Sequence, residues 1–140
     1  MQTAVSEETI NLVKISFGSA LSTGDLMEQF YKNFLHSDPA IAPMFVKTDM
    51  DKQKNLLRQS INLAIMFAAG HEIGHKAIDQ IGFTHSKKNL NISPKLYPNW
   101  KASFIKTVSN ADRKFSSEVE RAWSEVLQMA IDRIVSVYED

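Results

Sequence analysis

The chain has 140 residues, of which 44% are hydrophobic and 23% charged, and its 16 basic and 16 acidic side chains give a formal net charge of zero. This neutral chain lacks the positive field that nucleic-acid binding requires, and it has no apolar run of about 18 residues that would span a membrane. The absence of cysteine excludes disulfides, thiolate zinc sites and iron–sulfur clusters, so any metal must be bound by His or carboxylate side chains.

The length is that of one ordinary domain, and residues 1–140 are predicted to fold around a single core. The first ten residues, MQTAVSEETI, contain neither the basic segment nor the apolar run of a secretory signal. We therefore expect a cytoplasmic protein.

Apolar residues recur at spacings of three and four along almost the entire chain, which indicates helices. A first helix is predicted after Ser6, a residue type that caps helix N-termini. A second helix ends at Asp38, because Pro39 follows it, and the segment from Pro39 to Phe45 is predicted as a short helical turn. A third, long helix begins near Asp49 and ends before Gly70. Its apolar residues, Leu56 and Leu57 among them, are predicted to face inward.

Three further helices are predicted in the second half of the chain. They run from about Ala77 to His85, from Pro94 to about Asn110, and from Ser116 or Ser117 to the C-terminus, and a loop at 87–93 precedes the second of them. No segment shows a sustained strand-like alternation of apolar and polar residues. The sequence therefore predicts an all-α domain of six to eight helices, whose irregular corners favour crossed packing over a symmetric bundle.

Several segments, in order, resemble bacterial globins. The second globin helix and the following corner resemble FYKNFLHSDPAIAPMF at 30–45, and the distal helix resembles KQKNLLRQSI at 52–61. The helix with the iron-ligating His resembles IDQIGFTHSKK at 78–88, the start of the next helix resembles SPKLYPNW at 93–100, and the last helix resembles AWSEVLQMAI at 122–131. The likeness is strongest to single-domain globins and to the globin domains of flavohaemoglobins.

This resemblance implies a globin fold around a haem b pocket, with His85 as the proximal ligand of the iron. Ile81 lies one helical turn before His85 and shares its helix face. On the other side of the haem, the resemblance implies that Phe45 packs against the ring, that Gln53 is the distal polar residue, and that Leu57 shapes the ligand cavity.

Two tyrosines complete the site that the resemblance implies. Tyr31 would turn its hydroxyl toward the bound gas, which should slow the release of polarised dioxygen and affect carbon monoxide less. Tyr97 matches a tyrosine that, in flavohaemoglobins, joins the proximal His in a network with a Glu of the last helix. The equivalent position here falls at about Tyr138, followed by Glu139, so a carboxylate directed at the proximal imidazole is expected to be missing.

The implied function is reversible binding of oxygen and other diatomic gases, nitric oxide and carbon monoxide among them. Nitric oxide dioxygenation would also need an external reductase, since no flavin or nicotinamide domain accompanies the globin-like sequence. A haem-based gas sensor domain would use the same pocket, and is the alternative interpretation.

A different site is suggested by the motif HEIGH at 71–75. It fits H-E-x-x-H, in which two His on one helix face bind zinc and the Glu acts as general base of a metallopeptidase. Zinc catalysis also needs a third protein ligand, and the apolar Ile78 and Ile81 occupy the places where the longer metzincin motif has Gly and His. Gly70 and Gly74 further predict a corner here rather than a regular helix, so the peptidase is kept only as a remote alternative.

Overall fold

The computed structural model describes residues 5–140, which form six α-helices and two short 3₁₀ helices and contain no β-strand. The α-helices are α1 (Glu7–Leu21), α2 (Leu26–Leu35), α3 (Met50–Ala68), α4 (Glu72–His85), α5 (Tyr97–Ala111) and α6 (Ser117–Ser136), and the 3₁₀ helices are Ala42–Phe45 and Pro94–Leu96. The predicted all-α class is confirmed. Residues 1–4, which the predicted domain includes, lie outside the described residues.

Short polar side chains fix the starts of three helices, as their positions in the sequence suggest. The side chains of Ser6, Asp49 and Ser116 each accept a hydrogen bond from the backbone N–H three residues later, at 3.1, 3.2 and 3.2 Å. At the other end of α3, Gly70 adopts a φ of 86°, which a residue with a Cβ rarely tolerates. Local chemistry therefore determines the starts of α1, α3 and α6 and the end of α3.

The start of α4 differs from the prediction. The helix begins at Glu72 rather than near Ala77, and Gly74 lies inside it instead of interrupting it. A Cβ on Gly74 would stand 2.3 Å from the backbone nitrogen of Phe67 in α3. Glycine is required there because the two helix backbones approach closely, and this packing outweighs the low helix propensity of glycine.

The core is centred on Trp123 of α6, which is fully buried. Its ring lies 5.9 Å from that of Phe17 in α1 and 5.4 Å from that of Phe104 in α5, and its indole N–H donates to Ser16 Oγ at 2.9 Å. Helix α6 also packs against α3 and α4, while α2 crosses α5. None of the helices between residues 5 and 140 combines enough length and hydrophobicity to cross a bilayer.

Candidate functional site

Two polar side chains meet between α2 and α3. Gln53, in the first turn of α3, donates from Nε2 to the hydroxyl oxygen of Tyr31 at 3.0 Å. Burial raises the pKa of Tyr31 above its ordinary value, and the bond from Gln53 opposes part of that rise. The hydroxyl therefore stays protonated, and because its oxygen accepts the bond from Gln53, its own proton can be donated to another group.

Two apolar residues adjoin this contact. The ring of Phe45, which ends the first 3₁₀ helix, meets the rings of Tyr31 and Phe34 edge-on, at centroid distances of 5.8 and 6.3 Å. Leu57 is buried on α3, one helical turn after Gln53. We call Tyr31, Phe45, Gln53 and Leu57 the Tyr31 group. It contains one hydroxyl proton that can be donated, and apolar side chains lie next to it.

A second contact joins the end of α4 to the start of α5. Nδ1 of His85 lies 3.2 Å from the hydroxyl oxygen of Tyr97, and we call these residues the His85 pair. Burial lowers the pKa of His85, and it raises the pKa of Tyr97 to about 12, with a smaller contribution from Tyr138. Both side chains are therefore neutral near pH 7.

The other ring nitrogen of His85, Nε2, forms no hydrogen bond with any residue between 5 and 140. If Nδ1 carries the proton and donates it to Tyr97, the lone pair of Nε2 is free to coordinate a metal. Ile81, one turn earlier, is partly buried, and Ile78 is fully buried. The imidazole thus stands at the end of an apolar helix face.

Large apolar side chains on the surface neighbour members of the Tyr31 group in sequence, and one more lies between His85 and Tyr97. Four of them are between 41% and 78% exposed, and we call them the apolar rim: Met44, Val46, Leu56 and Leu90. Leu56 was predicted to face inward with Leu57, and this is wrong. It lies three residues after Gln53, so the two side chains are neighbours on α3, but Leu56 is exposed while Gln53 is partly buried. Exposed apolar side chains at a candidate site favour a large apolar ligand.

The segment after α6 provides no carboxylate for the His85 pair. At the position where a Glu would be expected, Tyr138 donates its hydroxyl proton to Asn91 Oδ1 at 2.5 Å. Glu139 instead forms an exposed ion pair with Lys87 at 3.6 Å. The sequence reasoning missed Asn91. The available signal was its residue type in a predicted loop, because Asn is one of the few residues that tolerate a positive φ, here 52°.

The residues of the HEIGH motif are arranged differently from a zinc site. His71 precedes α4 as its N-terminal cap residue and is exposed, while the ring of His75 packs on Phe67 at 4.5 Å. Glu72 forms an ion pair with Lys76 at 3.5 Å. Within the described part of the chain, no three His, Cys, Asp or Glu side chains are placed to bind a metal ion. Those residues supply no third ligand for a peptidase.

No protein-family model and no curated protein matches this chain. A solved structure does match it with a TM-score of 0.91 and 32% sequence identity, over 94% of this chain and 99% of the other. That structure is of a Pseudomonas aeruginosa PAO1 protein described as structurally highly homologous to a human hemoglobin. The likeness thus extends over nearly the whole of both chains.

Proposed function

This chain belongs to the globin family, and on that premise we propose that it binds haem b through His85 and holds dioxygen or another diatomic gas beside Tyr31. The globin fold predicted from the sequence is confirmed by the same likeness. The observation that carries the proposal is the contact of His85 Nδ1 with Tyr97, because it orients the imidazole and leaves Nε2 as the coordinating nitrogen.

The residues around the two contacts fit a haem. A flat apolar ring needs apolar walls, and the half-exposed apolar rim supplies side chains that such a ring would cover. Phe45 would pack against the ring face and fix its tilt, while Leu57 and Ile81 would exclude water from either side. When bound, the haem would supply the iron that holds the gas.

Tyr31 gives the site its preference among gases. Its hydroxyl proton can be donated to a gas that carries partial negative charge, and Gln53 holds the hydroxyl oxygen in place at 3.0 Å. A buried donor to a group with negative charge contributes about 1.5 to 3 kcal/mol, or roughly ten- to a hundredfold in dissociation rate. Dioxygen gains more from this bond than the less polarised carbon monoxide, so the site should retain dioxygen.

Slow release of dioxygen also favours nitric oxide dioxygenation as a second activity. That reaction combines nitric oxide, dioxygen and one electron into nitrate, and the electron would come from an external reductase. The contribution of the chain is the donor hydroxyl of Tyr31, which keeps dioxygen in the site until nitric oxide arrives. Consumption of nitric oxide by the purified protein with a reductase should therefore fall when Tyr31→Phe is introduced.

Replacement of the proposed ligand tests the main proposal. The protein should bind one haem per chain with the absorption spectrum of a histidine-ligated haem, and His85→Gly should lose that spectrum. Added imidazole should restore it, which shows that the variant still folds. His75→Gly is the matched control on the same helix, because this exposed side chain lies outside both contacts. An unchanged spectrum in His85→Gly, or no haem uptake by the natural chain, would contradict the proposal.

A further inference from the structure

Tyr138 contacts the loop after His85 at two places. Its backbone carbonyl accepts a hydrogen bond from the N–H of Lys87 at 2.9 Å, and its hydroxyl donates to Asn91 Oδ1 at 2.5 Å. Lys87 lies near the start of this loop and Asn91 near its end, so a single residue after α6 ties down both. We call residues 86–93 the proximal loop.

The proximal loop is closed back onto the helix that carries His85. Ile92 donates its N–H to the carbonyl of His85 at 3.0 Å, and the N–H of Asn91 donates to the carbonyl of Ser86 at 2.9 Å. Asn91 reaches this geometry with a φ of 52°, in the left-handed region. A shift of Asn91 would therefore be transmitted through the adjacent Ile92 to the backbone of His85.

We propose that Tyr138 is a positioning residue: it holds the proximal loop in place and so fixes the orientation of the His85 imidazole. This inference rests on the proposed function in that it takes His85 as the haem ligand. The hydroxyl of Tyr138 acts through Asn91 and the loop.

Tyr138→Phe tests the proposal, because it removes the hydroxyl and keeps both the ring and the backbone carbonyl. Glu139→Gln is the matched control, since it breaks the neighbouring ion pair and leaves the bond to Asn91 intact. Two measurements are made on each variant: hydrogen exchange of the proximal-loop amides in the haem-free protein, and the iron–imidazole stretching band of the ferrous haem protein. Asn91→Gly removes the same bond from its other side and permits the positive φ.

In Tyr138→Phe we expect exchange at Asn91 and Ile92 to accelerate by about fivefold, the effect of one hydrogen bond, and the stretching band to shift or broaden. Asn91→Gly should change the stretching band in the same direction, and Glu139→Gln should change neither measurement. Unchanged exchange in Tyr138→Phe would overturn the proposed restraint on the loop. Faster exchange with an unmoved stretching band would overturn the positioning role. If the natural chain failed to bind haem, the proposed function would be contradicted instead. The exchange measurement would still test the restraint on the loop, because it is made on the haem-free protein.

Discussion

The Tyr31 group and the His85 pair are built in different ways. The Tyr31 group draws its members from α2, the first 3₁₀ helix and α3, and its tyrosine sits in an aromatic cluster with Phe30 and Phe34. The His85 pair joins the end of α4 to the start of α5 across a short loop, with its residues only 12 positions apart. The Tyr31 group therefore depends on how the helices pack, and the His85 pair depends on how the loop between α4 and α5 is restrained.

This difference separates two properties of the proposed gas site. Retention of the gas depends on a hydroxyl that the packing of α2 against α3 holds next to Gln53. Orientation of the axial ligand depends on Tyr97 and on the hydrogen bonds of the proximal loop. Variants in the two regions should therefore change different measurements, with gas dissociation responding to the first and the iron–imidazole bond to the second.

The largest effect is expected where α3 meets α4, because this crossing positions the helices that carry Gln53 and His85. In Gly74→Ala the new Cβ would lie 2.3 Å from the nitrogen of Phe67 and 2.6 Å from the carbonyl carbon of Met66, both backbone atoms that cannot rotate away. The helices must separate, and we expect the free energy of unfolding to fall by about 3 kcal/mol. Denaturant titration of the haem-free protein measures this change, and a haem titration should show weaker binding.

Gly18→Ala is the control for that experiment. Gly18 also lies within a helix, α1, but a Cβ added there meets nothing within 4 Å. Alanine should raise the stability by about 0.5 to 1 kcal/mol, since it has the higher helix propensity. Equal effects of the two substitutions would show that the close approach at Gly74 does not hold α3 and α4 together.

The next largest effect concerns gas retention. Tyr31→Phe keeps the ring and removes the donor, so dioxygen should dissociate about ten to a hundred times faster, whereas carbon monoxide should change less. Stopped-flow replacement of dioxygen by carbon monoxide measures the rate. Tyr97→Phe removes a hydroxyl from the His85 pair and should leave that rate nearly unchanged. A similar acceleration in both variants would refute the division between the two regions.

The sequence predicted the parts of this architecture that depend on local chemistry. Capping residues at Ser6, Asp49 and Ser116 and the apolar spacing located most helices within a few residues of their observed ends. The predicted start of α4 was wrong. Gly74 is needed because the backbone of α3 approaches it closely, and a local sequence pattern contains no information about a contact with another helix. Leu56 was misplaced because an apolar residue on a helix does not by itself reveal whether a neighbouring element covers it.

For the candidate site, the resemblance to globins predicted its residues, and the structure adds the contacts among them. That Gln53 donates to Tyr31 and that Tyr97 lies against Nδ1 of His85 could not be derived from spacing, since both contacts link separate helices. The contact of Tyr138 with Asn91 could not be predicted from spacing either, because 47 positions separate the two residues. Side-chain partners across helices require the tertiary structure.

The smallest effect is expected at Gln53, and it tests whether the Tyr31 group acts as one unit. Gln53→Leu keeps most of the side-chain volume and removes the amide that donates to Tyr31 at 3.0 Å, so dioxygen should dissociate about fivefold faster. If Gln53 acts only by holding the hydroxyl, it has no further effect once that hydroxyl is gone. The double variant Tyr31→Phe with Gln53→Leu should then release dioxygen at the rate of Tyr31→Phe alone. Multiplicative effects in the double variant would instead mean that Gln53 contacts the gas itself.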